Sequence, residues 1–192
     1  MSQIYITRPA MFILIFLSAL TVPRVAGALG PHVHGEALLQ IAIDQNEISI
    51  DFDSPLDNLL GFEHAPANEQ QRQAVKTMVT RLQQADKLFI APAAALCSLQ
   101  AVKLTAPVLP KELLATQPQS APPAQDIHPE ADEHSGLEAT ITLRCAKPEA
   151  LFGLEIGLFK AFPLLKRLHA EILSANGQTS VKLNPSTTHL TW

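Results

Sequence analysis

From residue 33 onward the chain alternates. Val33, Gly35, Ala37, Leu39, Ile41 and Ile43 share one parity, and His34, Glu36 and Gln40 share the other. A period of two predicts a strand with one buried face. Asp44-Gln45-Asn46 supplies turn residues. The alternation then resumes, with Ile48, Ile50 and Phe52 on one side and Ser49, Asp51 and Asp53 on the other, until Ser54-Pro55 ends it. Residues 33–53 are therefore expected to form a β-hairpin. Further on the period changes. Val75, Met78, Val79 and Leu82 fall at i, i+3, i+4 and i+7, the apolar stripe of a helix over about 69–86. Asn68 is its expected N-cap, and Gln71, three residues on, completes a capping-box pattern. Short strands are expected near 88–90 and 99–104.

The periodicity fails between Thr105 and His134. This stretch carries Pro107, Pro110, Pro118, Pro122, Pro123 and Pro129 among Gln, Ser and Ala, which predicts a flexible, partly extended linker. Alternation returns with Leu137, Ala139, Ile141, Leu143 and Cys145 on one face of a strand. Pro148 fits the first position of a helix, and the apolar run from Leu151 to Phe159 predicts that it continues, deeply packed, to about Ala161. Residues 165–183 read as a second hairpin, with Asn176-Gly177 as a type I′ turn signal. The element order is ββαββ, linker, βαββ. The expected fold class is α+β: two similar hairpin-plus-helix halves with antiparallel sheet around one core.

The N-terminal segment belongs to a different category. Met11 to Val22 is almost wholly apolar, Pro9 and Pro23 bracket it, and Ala26-Gly27-Ala28 follows the small-x-small rule for signal peptidase. The apolar run is too short for a membrane span, which needs roughly 20 residues. Residues 1–28 are thus expected to be a cleaved signal peptide, leaving residues 29–192 as one exported α+β domain that contains the linker 105–134 and no membrane span.

Removal of residues 1–28 takes away Arg8 and Arg24 and no acid, so the charge moves from −4 to −6. An anionic chain argues against nucleic acid as a partner, since phosphate binding needs clustered cations. In an exported chain the two cysteines, Cys97 and Cys145, are expected to form a disulfide across the linker. They lack the CxxC spacing of a redox pair, and no histidine adjoins either one.

The histidines cluster where the folded parts begin and end. His32 and His34 form H-V-H, and in a strand positions i and i+2 project on the same face. Glu63-His64 precedes the first helix, and His128, Glu130, Asp132, Glu133 and His134 decorate the linker's end. Imidazole nitrogen with carboxylate oxygen suits Zn²⁺. Copper(I) would prefer thioether and thiolate, yet Met78 is the sole methionine after residue 28. Calcium sites want oxygen ligands alone, and there is no DxDxD loop. The plain alternative is that His64 bonds a loop carbonyl, His134 is a solvated linker residue and the acids form a solvated face. His169 and His189 read as ordinary strand histidines. No G-x-S-x-G, HExxH or phosphate-binding glycine loop is present, so the chain is read as a non-enzyme.

These same residues carry a resemblance. Pro31-His32-Val33-His34-Gly35, Ser54-Pro55, Gly61-Phe62-Glu63-His64-Ala65-Pro66, His134-Ser135-Gly136-Leu137-Glu138 and Leu158-Phe159-Lys160-Ala161-Phe162-Pro163 are similar to the zinc-regulated periplasmic proteins of Gram-negative bacteria, the ZrgA type. The resemblance spans residues 29–192 and implies a periplasmic zinc-binding protein linked to zinc uptake. It departs from the family pattern in the linker, which is proline-rich here and keeps only His128 and His134. That departure weakens a high-capacity buffering role and leaves one folded-domain site, with His32, His34, His64 and His134 as the zinc ligands. The expected function is an accessory protein that captures or relays Zn²⁺, with a zinc ABC importer or its solute receptor as partner. About 164 residues are too few for the two lobes of such a receptor itself. Two rivals remain: a non-metal module docking on an envelope transporter, and a hydrolase using zinc-bound water beside a base such as Glu63.

Overall fold

In a computed structural model, residues 33–114 and 136–192 are described. The alternating segments form the expected hairpin, β1 (Glu36–Asp44) and β2 (Glu47–Pro55). Leu39, Ile41, Ile48, Ile50 and Phe52 are all buried, and the partners run from Leu38↔Asp53 to Asp44↔Glu47. Gln45 closes the turn in the left-handed region, φ 52°. One helical turn, α1 (Asp57–Leu60), follows and ends at Gly61, whose φ of 79° suits a residue without Cβ. The longer helix α2 (Glu69–Gln83) buries Val75, Met78, Val79 and Leu82, the stripe read from the sequence. Asn68 caps it by accepting from the Gln71 N–H, while the Gln71 side chain reaches back to the Ala67 N–H. The chain continues through β3 (Phe89–Ile90) and β4 (Cys97–Thr105).

The first part of the expected linker is ordered into the fold. After β4, Ala106 and Leu109 are buried and a helical turn, α3 (Lys111–Leu114), packs beside α2. Apolar anchors at 106 and 109 hold this stretch down despite Pro107 and Pro110. Residues 115–135, the remainder of the expected linker, lie outside the described residues, as do residues 1–32 with the expected signal peptide.

Chain order resumes with β5 (Gly136–Cys145). Beyond it the long helix expected from Pro148 to Ala161 does not form. A 3₁₀ turn at Pro148–Ala150 gives way to β6 (Gly153–Ile156) and then to a single turn, α4 (Leu158–Ala161). The cause lies in Gly153 and Gly157. A Cβ on Gly153 would overlap the Leu190 carbonyl oxygen, and one on Gly157 would lie 2.8 Å from that of Lys87. Both glycines let backbones approach more closely than a helix surface would, and a short apolar run cannot by its period distinguish strand from helix.

The last elements are β7 (Arg167–Ser174), β8 (Gly177–Leu183) and β9 (His189–Thr191). In the β7–β8 hairpin Ser174 pairs with Gly177, so Ala175 and Asn176 occupy the turn centre. Neither has a positive φ, and only Gly177 does, at 118°. The expected type I′ turn on Asn176-Gly177 is thus shifted by one residue, with glycine absorbing the left-handed step after it.

Strands from both sides of residues 115–135 interleave in one six-stranded sheet, ordered β4-β5-β2-β1-β7-β8. Its pairs are antiparallel except β1 with β7, which is parallel. Strands of both expected halves thus share one sheet. A second sheet of three strands, β3-β6-β9, shares the same apolar core. Cys97 and Cys145 are paired as expected, joined at directly opposed positions of β4 and β5. Among the described residues no helix is long and apolar enough to cross a membrane.

Candidate metal centre

The start of β1, the end of β2 and the start of β5 lie side by side at one end of the large sheet. Pro55 pairs with Gly136 across β2 and β5, and Glu36 pairs with Arg167 across β1 and β7. The geometry at this end starts from a glycine. Gly35 has φ 82° and the Glu36 N–H bonds the Val33 carbonyl at 2.9 Å, closing a turn with glycine at its third position. His34 therefore sits in this turn and not in the strand, which begins at Glu36. The left-handed Gly35 breaks the alternation between His34 and Glu36, and His32, the other member of the expected pair, lies outside the described residues. The Gly35 carbonyl accepts from both Lys166 and Arg167 N–H at 2.8 Å, tying the turn to the start of β7.

His34 is exposed, with 66% of its side-chain surface open. Its Nδ1 lies 3.7 Å from Asp57 Oδ2 and its Nε2 lies 3.5 Å from Glu63 Oε1. The carboxylates face opposite ring nitrogens, so they do not converge with the ring on a single point. A proton on Nδ1, facing Asp57, leaves Nε2 as a free donor facing Glu63. At 3.7 Å Asp57 is too far to bond the ring, but it stands on the side from which a carboxylate orients a metal-binding histidine. Glu63 Oε1 is buried and has no hydrogen-bond partner. A neutral imidazole nitrogen and an unpartnered carboxylate oxygen facing one spot are donors of the kind Zn²⁺ takes. Among the described residues, however, no three His, Cys, Asp or Glu side chains are gathered to hold a metal ion.

The other expected ligands divide as follows. His64 lies in the loop after α1 and directs Nδ1 to its own neighbour's carbonyl, Ala65 O, at 2.8 Å, while its ring packs 5.1 Å from that of Phe62. The Ala65 carbonyl can only accept, so Nδ1 carries the proton and Nε2 is left free to coordinate. His32 and His134 lie outside the described residues. His169 bonds Ser180 Oγ at 2.8 Å. His189 meets Glu155 Oε2 at 2.6 Å, and Thr188 donates to the other oxygen of that carboxylate.

Sequence reasoning missed Asp57 and Asn58. Asp57 carried a faint signal as an acid just past a strand-ending Pro55. Asn58 carried none.

A family model described as ZrgA family zinc uptake protein matches residues 31–192. The chain belongs to that family. The match starts one residue before His32 and runs to Trp192, so it takes in the H-V-H and G-F-E-H segments and both sheets of this ZrgA-family chain. No curated protein matches it. Membership ties the chain to zinc uptake.

Proposed function

We propose that this ZrgA-family chain is a periplasmic zinc-binding accessory protein, which captures Zn²⁺ as cargo and passes it toward a zinc importer. The observation that carries the reading is the His34–Glu63 pair, in which an imidazole nitrogen lies 3.5 Å from a buried carboxylate oxygen lacking a hydrogen bond. Leaving a carboxylate oxygen buried and unpaired is costly, and a cation between it and the ring relieves that cost.

Chain connectivity supports His32 and His134 as further ligands. His32 directly precedes Val33, and His134 is two residues before Gly136, the partner of Pro55. Successive Cα atoms are about 3.8 Å apart, and each of these residues is within two positions of a described one, Val33 or Gly136. With His34 and His64 they make up the proposed ligand set. The excess of six acidic charges after residue 28 favours cation capture over anion binding.

The test is calorimetric titration of the chain from Leu29 with zinc at neutral pH. Saturable binding that is lost in His32→Ala/His34→Ala supports the reading. Absence of saturable binding rejects it, and unchanged affinity in that variant rejects the ligand set.

A further inference from the structure

Among the described residues the only buried polar side chains are Ser54 and Asn58, 0% and 1% exposed. Both lie beneath the proposed metal centre. The Asn58 amide is fully engaged: Oδ1 accepts from the Gly35 N–H at 2.6 Å, and Nδ2 donates to the Glu36 carbonyl at 2.7 Å and to Ser54 Oγ at 3.1 Å. Ser54 Oγ in turn donates to the Pro55 carbonyl at 3.1 Å. A buried amide is tolerated when its hydrogen bonds are satisfied, and these bonds join the first turn of α1 to the turn that carries His34.

We propose that Asn58 is the positioning residue of this metal site: it fixes the backbone after His34 against α1 and so sets the His34 ring between Asp57 and Glu63. The inference rests on the zinc reading above. The relation follows from adjacency within both segments. His34 precedes Gly35, and Asp57 precedes Asn58, so the Gly35–Asn58 bond sets the spacing of the two neighbours. On its other side the turn is held by Lys166 and Arg167. Asn58 is thus the clamp from α1, while the start of β7 supplies the opposing one. Asn58 itself does not face the ion, since all its polar hydrogens are spent on Glu36 and Ser54.

The experiment compares zinc affinity with thermal stability in the chain from Leu29. Asn58→Ala should weaken zinc binding by about 10- to 100-fold, the range found when groups supporting a metal ligand are removed. Ser54→Ala keeps both backbone bonds, and Ile50→Val loosens the core elsewhere. Each should lower the melting temperature and leave zinc affinity within about twofold of the parent. In a His34→Ala background, Asn58→Ala should cause no further loss of affinity. If Asn58→Ala does not fold, Asn58→Asp serves instead, keeping an acceptor for Gly35 and losing the donors to Glu36 and Ser54. It too should weaken zinc. A parent that binds zinc alongside an Asn58 variant of unchanged affinity overturns the positioning role and leaves the zinc reading standing. A parent with no saturable binding overturns both.

Discussion

Glu63 Oε1 is buried without a hydrogen bond 3.5 Å from His34 Nε2. This relationship has opposite consequences for stability and for binding. In the zinc-free chain the unpaired oxygen is a cost, reduced because 29% of the side chain remains open to solvent. Glu63→Gln removes the charge while keeping the shape. It is expected to raise zinc-free stability by up to about 1 kcal/mol, read from the denaturation midpoint. The same change should weaken zinc binding at least about tenfold by replacing an anionic donor with a neutral amide. A variant that loses stability and keeps its zinc affinity would remove Glu63 from the site.

Acidification should release the ion. Imidazole coordinates only when neutral, and unperturbed histidine side chains titrate near pH ~6.5. Protons therefore compete with zinc below that value and not above it. Between pH 7.5 and 5.5 the apparent zinc affinity is expected to fall, and more steeply the more histidines coordinate. Carboxylates titrate near pH ~4, so a site built from them alone would stay nearly flat over this interval. Titrations at several pH values distinguish the two. A non-metal docking module would show no zinc isotherm at all.

The legible parts of the fold are those with an unbroken period. The β1–β2 hairpin and the α2 stripe were fixed by apolar spacing because each element buries one continuous face. The region from Leu151 to Phe162 was not legible. Its glycines are set by the backbones of Leu190 and Lys87, which are distant in the sequence. The candidate site divides along the same line. His34 and Glu63 stood out as chemistry-bearing residues in H-V-H and G-F-E-H. Their placement depends on a turn at Gly35 and on the buried Asn58, and an asparagine beside a short helix looks the same in a sequence whether it is solvated or buried. Asp57, only faintly marked by its place after Pro55, owes its position to β2 running directly into α1.

Gly153 and Gly157 provide a test whose sign separates helix from strand. In a helix interior, glycine to alanine stabilises by about 0.8–1 kcal/mol. In the β6 arrangement the added methyl meets backbone carbonyls, and backbone cannot swing aside as a side chain can. Gly153→Ala is expected to destabilise by about 3 kcal/mol and Gly157→Ala by about 1–2 kcal/mol. Urea melts of both variants measure this. Stabilisation by either would return this stretch to the helix that its apolar run suggested.

The disulfide should support stability without touching the metal centre. Cys97 and Cys145 are 48 positions apart, and opening a loop of that size costs about 4 kcal/mol in the chain-entropy model. Cys97→Ser/Cys145→Ser is therefore expected to lower the unfolding free energy by up to that amount. The strand geometry limits where the damage falls. β5 begins at Gly136, opposite Pro55 beside the centre, and ends at Cys145. At about 3.3 Å per residue its ten residues span roughly 30 Å, which sets the bridge at the far end of the strand. The β4–β5 pairing also includes residues from Ser98 to Thr105, so the ladder persists without the covalent link. Below its lowered melting temperature the double variant should bind zinc with an affinity within about twofold of the parent. Loss of binding in a variant shown to be folded by circular dichroism would mean that the bridge, and not the end of the sheet around His34 and Asn58, organises the site.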